Sequence, residues 1–113
     1  MALAFGASVG LMGRLDPGEG YEGAKRERGF YDVETNARGI FRDLPTKITV
    51  WHSHFDEVKS LPLDFLATAA NDTCPIQAMQ HSERPLFGVQ FHPELFDDAH
   101  PDGRRVLENF LRL

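Results

Sequence analysis

Residues 86–91 (LFGVQF) form a near-continuous apolar run that stops abruptly at His92-Pro93-Glu94, and this junction limits the fold more than any other stretch. Such a run suits a central strand covered on both faces, as in layered α/β sheets. Residues 104–113 (RRVLENFLRL) then place Val106, Leu107, Phe110, Leu111 and Leu113 on one broad face, the pattern of an amphipathic helix. Asp102 or Gly103 is expected to cap that helix. A covered strand followed by an amphipathic helix is a piece of α/β architecture.

The remainder is richer in strand signals than in helix signals. Residues 1–5 (MALAF) read as the last turns of a helix, with Gly6 at its C-cap, where a positive φ costs little. Residues 7–12 form a short apolar strand candidate, and residues 16–23 (DPGEGYEG) a turn-rich loop. Residues 29–35 (GFYDVET) alternate as a half-buried strand does, and residues 47–52 (KITVWH) are β-branched and aromatic. Ile40-Phe41 with Leu44-Pro45 suggests one short turn, and residues 58–62 a connector. Residues 65–70 and 76–80 are two further strands around a turn at residues 71–75.

With 113 residues, one domain is the upper bound. The formal net charge of −5 argues against a general nucleic-acid binder, which needs clustered cations. Lys25-Arg26-Glu27-Arg28 carries an acid inside it and reads as a solvated loop. The apolar start lacks a basic leader, is broken by Gly6 and Gly10, and is too short to span a bilayer. No membrane association is expected. A single cysteine, Cys74, rules out an internal disulfide and suits the reducing cytoplasm. Gly18-Glu19-Gly20-Tyr21-Glu22-Gly23 matches a dinucleotide-binding pattern in letters, but it follows Asp16-Pro17 rather than a strand.

The chemistry concentrates at the strand end. His92 and Glu94, separated by a conformationally restricted proline, stand at the C-terminal edge of a covered strand, where open α/β sheets place their sites. A carboxylate beside a histidine fixes its tautomer and supports the imidazolium. Such a pair can take a proton from a thiol and return it to a leaving amine. His52, His54 and Asp56 alternate and, on a strand, share one face; with His92 they form an alternative, metal-binding set.

Gly88-Val89-Gln90-Phe91-His92-Pro93-Glu94 resembles the triad-bearing strand end of class I glutamine amidotransferases. Ser53-His54-Phe55-Asp56-Glu57-Val58, followed by Leu61-Pro62 and Phe65, is similar to a second stretch of that family, most closely in the amidotransferase domains of GMP synthetases. Asp102-Gly103 and Asn109-Phe110 resemble its closing helix. The resemblance implies an α/β fold: the C-terminal half of a flavodoxin-like three-layer domain, with residues 1–113 as a single partial domain. It further implies His92 as general base, Glu94 as its orienting partner, and Ser53 and His54 as holders of the substrate glutamine. Neither metal nor organic cofactor is implied. The implied partner is a synthetase that receives ammonia.

The family's nucleophile is a cysteine in a Gly-x-Cys-x-Gly elbow, and these 113 residues contain none. The family's post-elbow helix continues into a stretch much like residues 1–10, so the chain is expected to begin just past the nucleophile. Cys74 lies ahead of a strand rather than a helix and is expected to be structural. Two readings follow. Either the chain is part of a glutaminase, inactive alone and completed by a complementary half, or it is a non-catalytic remnant that pairs with another subunit. Exposed strand edges make self-association an expectation in both.

Overall fold

A computed structural model describes residue 6 and residues 9–11, 27–54 and 56–113 of the chain. Its elements are β1 (Val9–Leu11), β2 (Glu27–Thr35), a single 3-10 turn (Gly39–Phe41), β3 (Lys47–His54), β4 (Asp56–Val58), β5 (Phe65–Ala70), β6 (Ala78–His81), β7 (Phe87–Val89) and α1 (Asp102–Leu111). The expected helix at residues 1–5 and loop at residues 16–23 lie outside the described residues, although Gly6 has the positive φ of a C-cap, 89°.

β2 and β3 form a long antiparallel pair, with Phe30 opposite Trp51 and Val33 opposite Ile48. Strict alternation on β3 sends Ile48, Val50 and His52 inward. The sheet continues in the order β3-β2-β5-β6-β7, each neighbour antiparallel. The backbone N–H of His92 donates to the carbonyl of Trp51 at 2.8 Å, joining the end of the β7 segment to β3. The two outer strands of the sheet therefore meet, and the sheet curls around its contents.

Those contents are Val33, Ile40, Phe41, Leu44, Ile48, Val50, Ala69, Ala78, Phe91 and Val106. The turn at Gly39–Phe41 lays Ile40 and Phe41 across one end of this core. Helix α1 closes it through Val106, and its last turn is tied by Asn109, whose Nδ2 donates to the carbonyls of Ile40 (3.0 Å) and Arg42 (2.9 Å). A second cluster, Phe65 and Met79 with Val9, Val58, Leu61 and Leu86, forms apart from the first.

Several sequence expectations need correcting. The apolar run at residues 86–91 is not one central strand. β7 ends at Val89, Gln90 still bonds to Gln77, and only His92, past the run, bonds to Trp51 of β3. β7 is an edge of the described sheet, and Val89 is 37% exposed. Glu27 and Arg28 open β2 rather than lying in a loop. The connector expected at residues 58–62 begins inside β4, which pairs with β1. Helix α1 begins at Asp102 with Pro101 at its N-cap and no side-chain cap, because the Asp102 carboxylate accepts the N–H of Thr49 at 2.9 Å instead. The broad apolar face of α1 is only partly covered: Val106 is buried, whereas Leu111 is 80% exposed. No helix among the described residues is long and apolar enough to cross a membrane.

Candidate functional site

The site is built where the curled sheet closes. Phe91 is buried and packs between the rings of Phe41 (6.3 Å) and His52 (5.9 Å). With alternation, the next residue, His92, turns out of the core, and its backbone is fixed by the bond to Trp51. A tight turn follows, with the N–H of Leu95 donating to the carbonyl of His92 at 3.2 Å. That turn brings Glu94 back to the histidine ring, where Oε1 lies 2.7 Å from Nδ1.

This contact fixes the chemistry of the ring. The carboxylate accepts, so Nδ1 carries the proton and Nε2 is the basic nitrogen. Both side chains are about half exposed, His92 at 45% and Glu94 at 55%, so a reactant can reach the ring. A positive charge arriving on the imidazole would sit directly against the carboxylate.

Ser53 and His54 follow Trp51 on β3, the strand that anchors His92. More than thirty residues of chain separate the two segments, and the Trp51–His92 bridge brings them to one edge. Ser53 is exposed, and His54 is half-buried. His54 Nδ1 lies 2.9 Å from the carbonyl of Asp56, which can only accept, so that nitrogen is protonated. Its Nε2 lies 3.2 Å from Nδ1 of His52, which is fully buried and meets Tyr31 edge-on. The alternating His52, His54 and Asp56 thus form a ring-to-ring and ring-to-backbone chain, to which Asp56 contributes its carbonyl. Among the described residues, no group of three or more His, Cys, Asp or Glu is placed to hold a metal ion.

Cys74 lies in the turn between β5 and β6 and is fully buried. Its N–H donates to Asn71 Oδ1 at 2.8 Å, and its thiol points to the carbonyl of Ile76 at 3.5 Å. This is a packed turn residue, not one at the start of a helix.

Sequence reasoning missed Trp51 as the anchor of His92 and a second histidine–carboxylate pair, His100 with Asp97 (2.9 Å). The alternation of His52 and His54 puts them on one strand face, and the structure joins their rings. The anchor depends on tertiary pairing and leaves no local signal, whereas His100 and Asp97 are an i, i+3 pair that spacing alone could have revealed.

The family model of class I glutamine amidotransferases matches residues 1–113. A glutamine-hydrolysing GMP synthase subunit of Pyrococcus furiosus is 43% identical over 104 residues, covering 91% of this chain and 54% of that protein. Its counterpart from Archaeoglobus fulgidus is 39% identical over all 113 residues, or 55% of its own length. Among solved structures, a protein from Thermoplasma acidophilum described as a GMP synthase subunit superposes with a TM-score of 0.80 at 37% identity, covering 98% of this chain and 50% of that one. The chain belongs to the class I glutamine amidotransferase family and has that family's α/β fold. It spans about half the length of the curated relatives it matches.

Proposed function

We propose that the chain supplies the proton-shuttling and glutamine-holding part of a glutaminase site that feeds ammonia to a GMP synthase-type synthetase. One observation carries this reading: His92 is pinned at its backbone to Trp51, and its ring is held at Nδ1 by Glu94 at 2.7 Å, leaving Nε2 as the base. Ser53 and His54 stand on the same anchoring strand, where a bound glutamine would lie. Cys74 is buried and bonded within its own turn, so the nucleophile is a thiol outside these 113 residues.

The reaction follows from that arrangement. Nε2 of His92 takes the thiol proton as sulfur attacks the side-chain amide carbon of glutamine, and the carbonyl π electrons move to oxygen. Collapse breaks the C–N bond, and the imidazolium returns its proton to the departing nitrogen as ammonia. Water, deprotonated by the same nitrogen, cleaves the thioester to glutamate and restores the thiol. Glu94 supports the imidazolium in both halves. A reducing cytoplasm suits a reaction that depends on a thiol.

The test is reconstitution. The purified chain alone is expected to release no ammonia from glutamine above background. Joined to the part of the Pyrococcus furiosus relative that this chain does not match, it is expected to release ammonia, and His92→Ala should abolish that release. Turnover by the chain alone, or by the joined protein without His92, would overturn the proposal.

A further inference from the structure

Helix α1 lies close against Pro93, between His92 and Glu94. Gly103, in the first turn of α1, is buried there. A Cβ added at Gly103 would lie 2.4 Å from the carbonyl oxygen of Pro93 and 3.0 Å from its Cα and carbonyl carbon. Ordinary contact would require one side to retreat by about 1 Å. Glycine in a helix costs about 1 kcal/mol relative to alanine, so a packing reason is needed for it here.

The helix is the side less able to yield. Asp102 binds the N–H of Thr49 on β3 at 2.9 Å, Val106 is buried in the main core, and Asn109 binds Ile40 and Arg42 at the other end. The Pro93 carbonyl belongs to the peptide that aims Glu94. Thr49 and Trp51 lie on the same strand, so β3 sets the position of both the helix start and His92.

We infer that Gly103, with Asp102 fixing the helix start, is a positioning residue for the His92–Glu94 pair: its missing side chain lets α1 press the Pro93 peptide into the conformation that holds Glu94 on Nδ1. This rests on the proposed role of that pair. Gly103→Ala should push the Pro93 carbonyl away and weaken the contact. Misplacement of a catalytic contact by that distance costs up to about 100-fold in rate.

The experiment combines nitrogen-15 NMR of the histidine rings in the chain with glutamine kinetics of the joined protein. In Gly103→Ala, the ring nitrogen shifts of His92 are expected to show loss of the Nδ1 hydrogen bond to Glu94 and a tautomer no longer fixed with its proton on Nδ1. The kcat is expected to fall roughly 10- to 100-fold with KM for glutamine within about twofold. Val106→Ala, in the same helix, should lower the melting temperature without moving the His92 ring nitrogen shifts. Unchanged His92 ring nitrogen shifts and a kcat within about twofold of the parent in folded Gly103→Ala would overturn the inference. If that variant fails to fold, Asp102→Ala decides: a smaller shift in the same direction is expected, and no shift overturns it. Moved His92 ring nitrogen shifts in a joined protein whose parent releases no ammonia would support the positioning role while sinking the glutaminase reading.

Discussion

Two histidine–carboxylate pairs stand eight residues apart in this chain, and they have nearly the same bond. His92 Nδ1 meets Glu94 at 2.7 Å, and His100 Nδ1 meets Asp97 at 2.9 Å. Their settings differ. His92 sits at the closure of a curled sheet, with its backbone fixed to β3 and its ring half exposed. His100 belongs to a self-contained turn in which its N–H also donates to the carbonyl and carboxylate of Asp97. Its ring lies flat on Phe30, with centroids 3.8 Å apart and planes 11° from parallel. Phe30 in turn meets Trp51 edge-on at 5.2 Å, so the second pair fastens the loop beside the strand that anchors the first. Residue types and bond length alone therefore do not make a site. What sets the His92–Glu94 pair apart is its place at the bridge to β3, with one ring nitrogen committed to Glu94 and the ring half exposed.

Substitutions can separate the roles of the two pairs. The largest effect is expected for Glu94→Gln, which should slow ammonia release by the joined protein by about 100-fold, whereas Asp97→Asn should leave it within about twofold. Steady-state assays on the two variants read the difference directly. Asn109→Ala strands the carbonyls of Ile40 and Arg42 and should cost about 1–3 kcal/mol by denaturant unfolding. It should leave the ring of His100 on Phe30, because that contact does not pass through α1. His100→Ala loses the stacked ring and should cost about 0.5–1.5 kcal/mol, again without a large loss of turnover.

The smallest effect concerns pH. Hydrogen bonding from the His100 side chain, above all, holds the Asp97 carboxyl below its ordinary value of 3.8. A carboxyl with a depressed folded pKa contributes stability above its unfolded pKa and loses it as pH falls through the folded one. The clasp should therefore be intact at neutral pH and fail only below the ordinary carboxylate range. Asp97→Asn should remove that step from the acid titration of the loop, followed by the His100 ring resonances.

The meeting of His92 and Glu94 is more legible in the sequence than the architecture. GVQFHPE marks the two as neighbours and the structure joins their side chains, but β7 ends at Val89, so the pair stands beyond the strand rather than at its end. β5 is legible with its bounds at Phe65–Ala70, and β3 falls two residues short, because β-branched and aromatic residues mark both. β4 is hidden: Asp56-Glu57-Val58 is short and acidic, and only its partner β1 makes it a strand. The early end of β7 and the bridge from His92 to β3 are equally invisible, since hydrophobicity reports covering and not which neighbour provides it. Gly103 reads as a capping residue, whereas its importance is steric and depends on a proline ten residues earlier that only the fold places against it.

The most direct measurement is ammonia release from glutamine by the joined protein carrying His92→Ala or His100→Ala, assayed side by side at neutral pH. Loss of turnover to background in the first, with near-parental turnover in the second, is the expected result. Equal loss in both, or survival of activity without His92, would contradict the assignment of the sheet-closing histidine as the base.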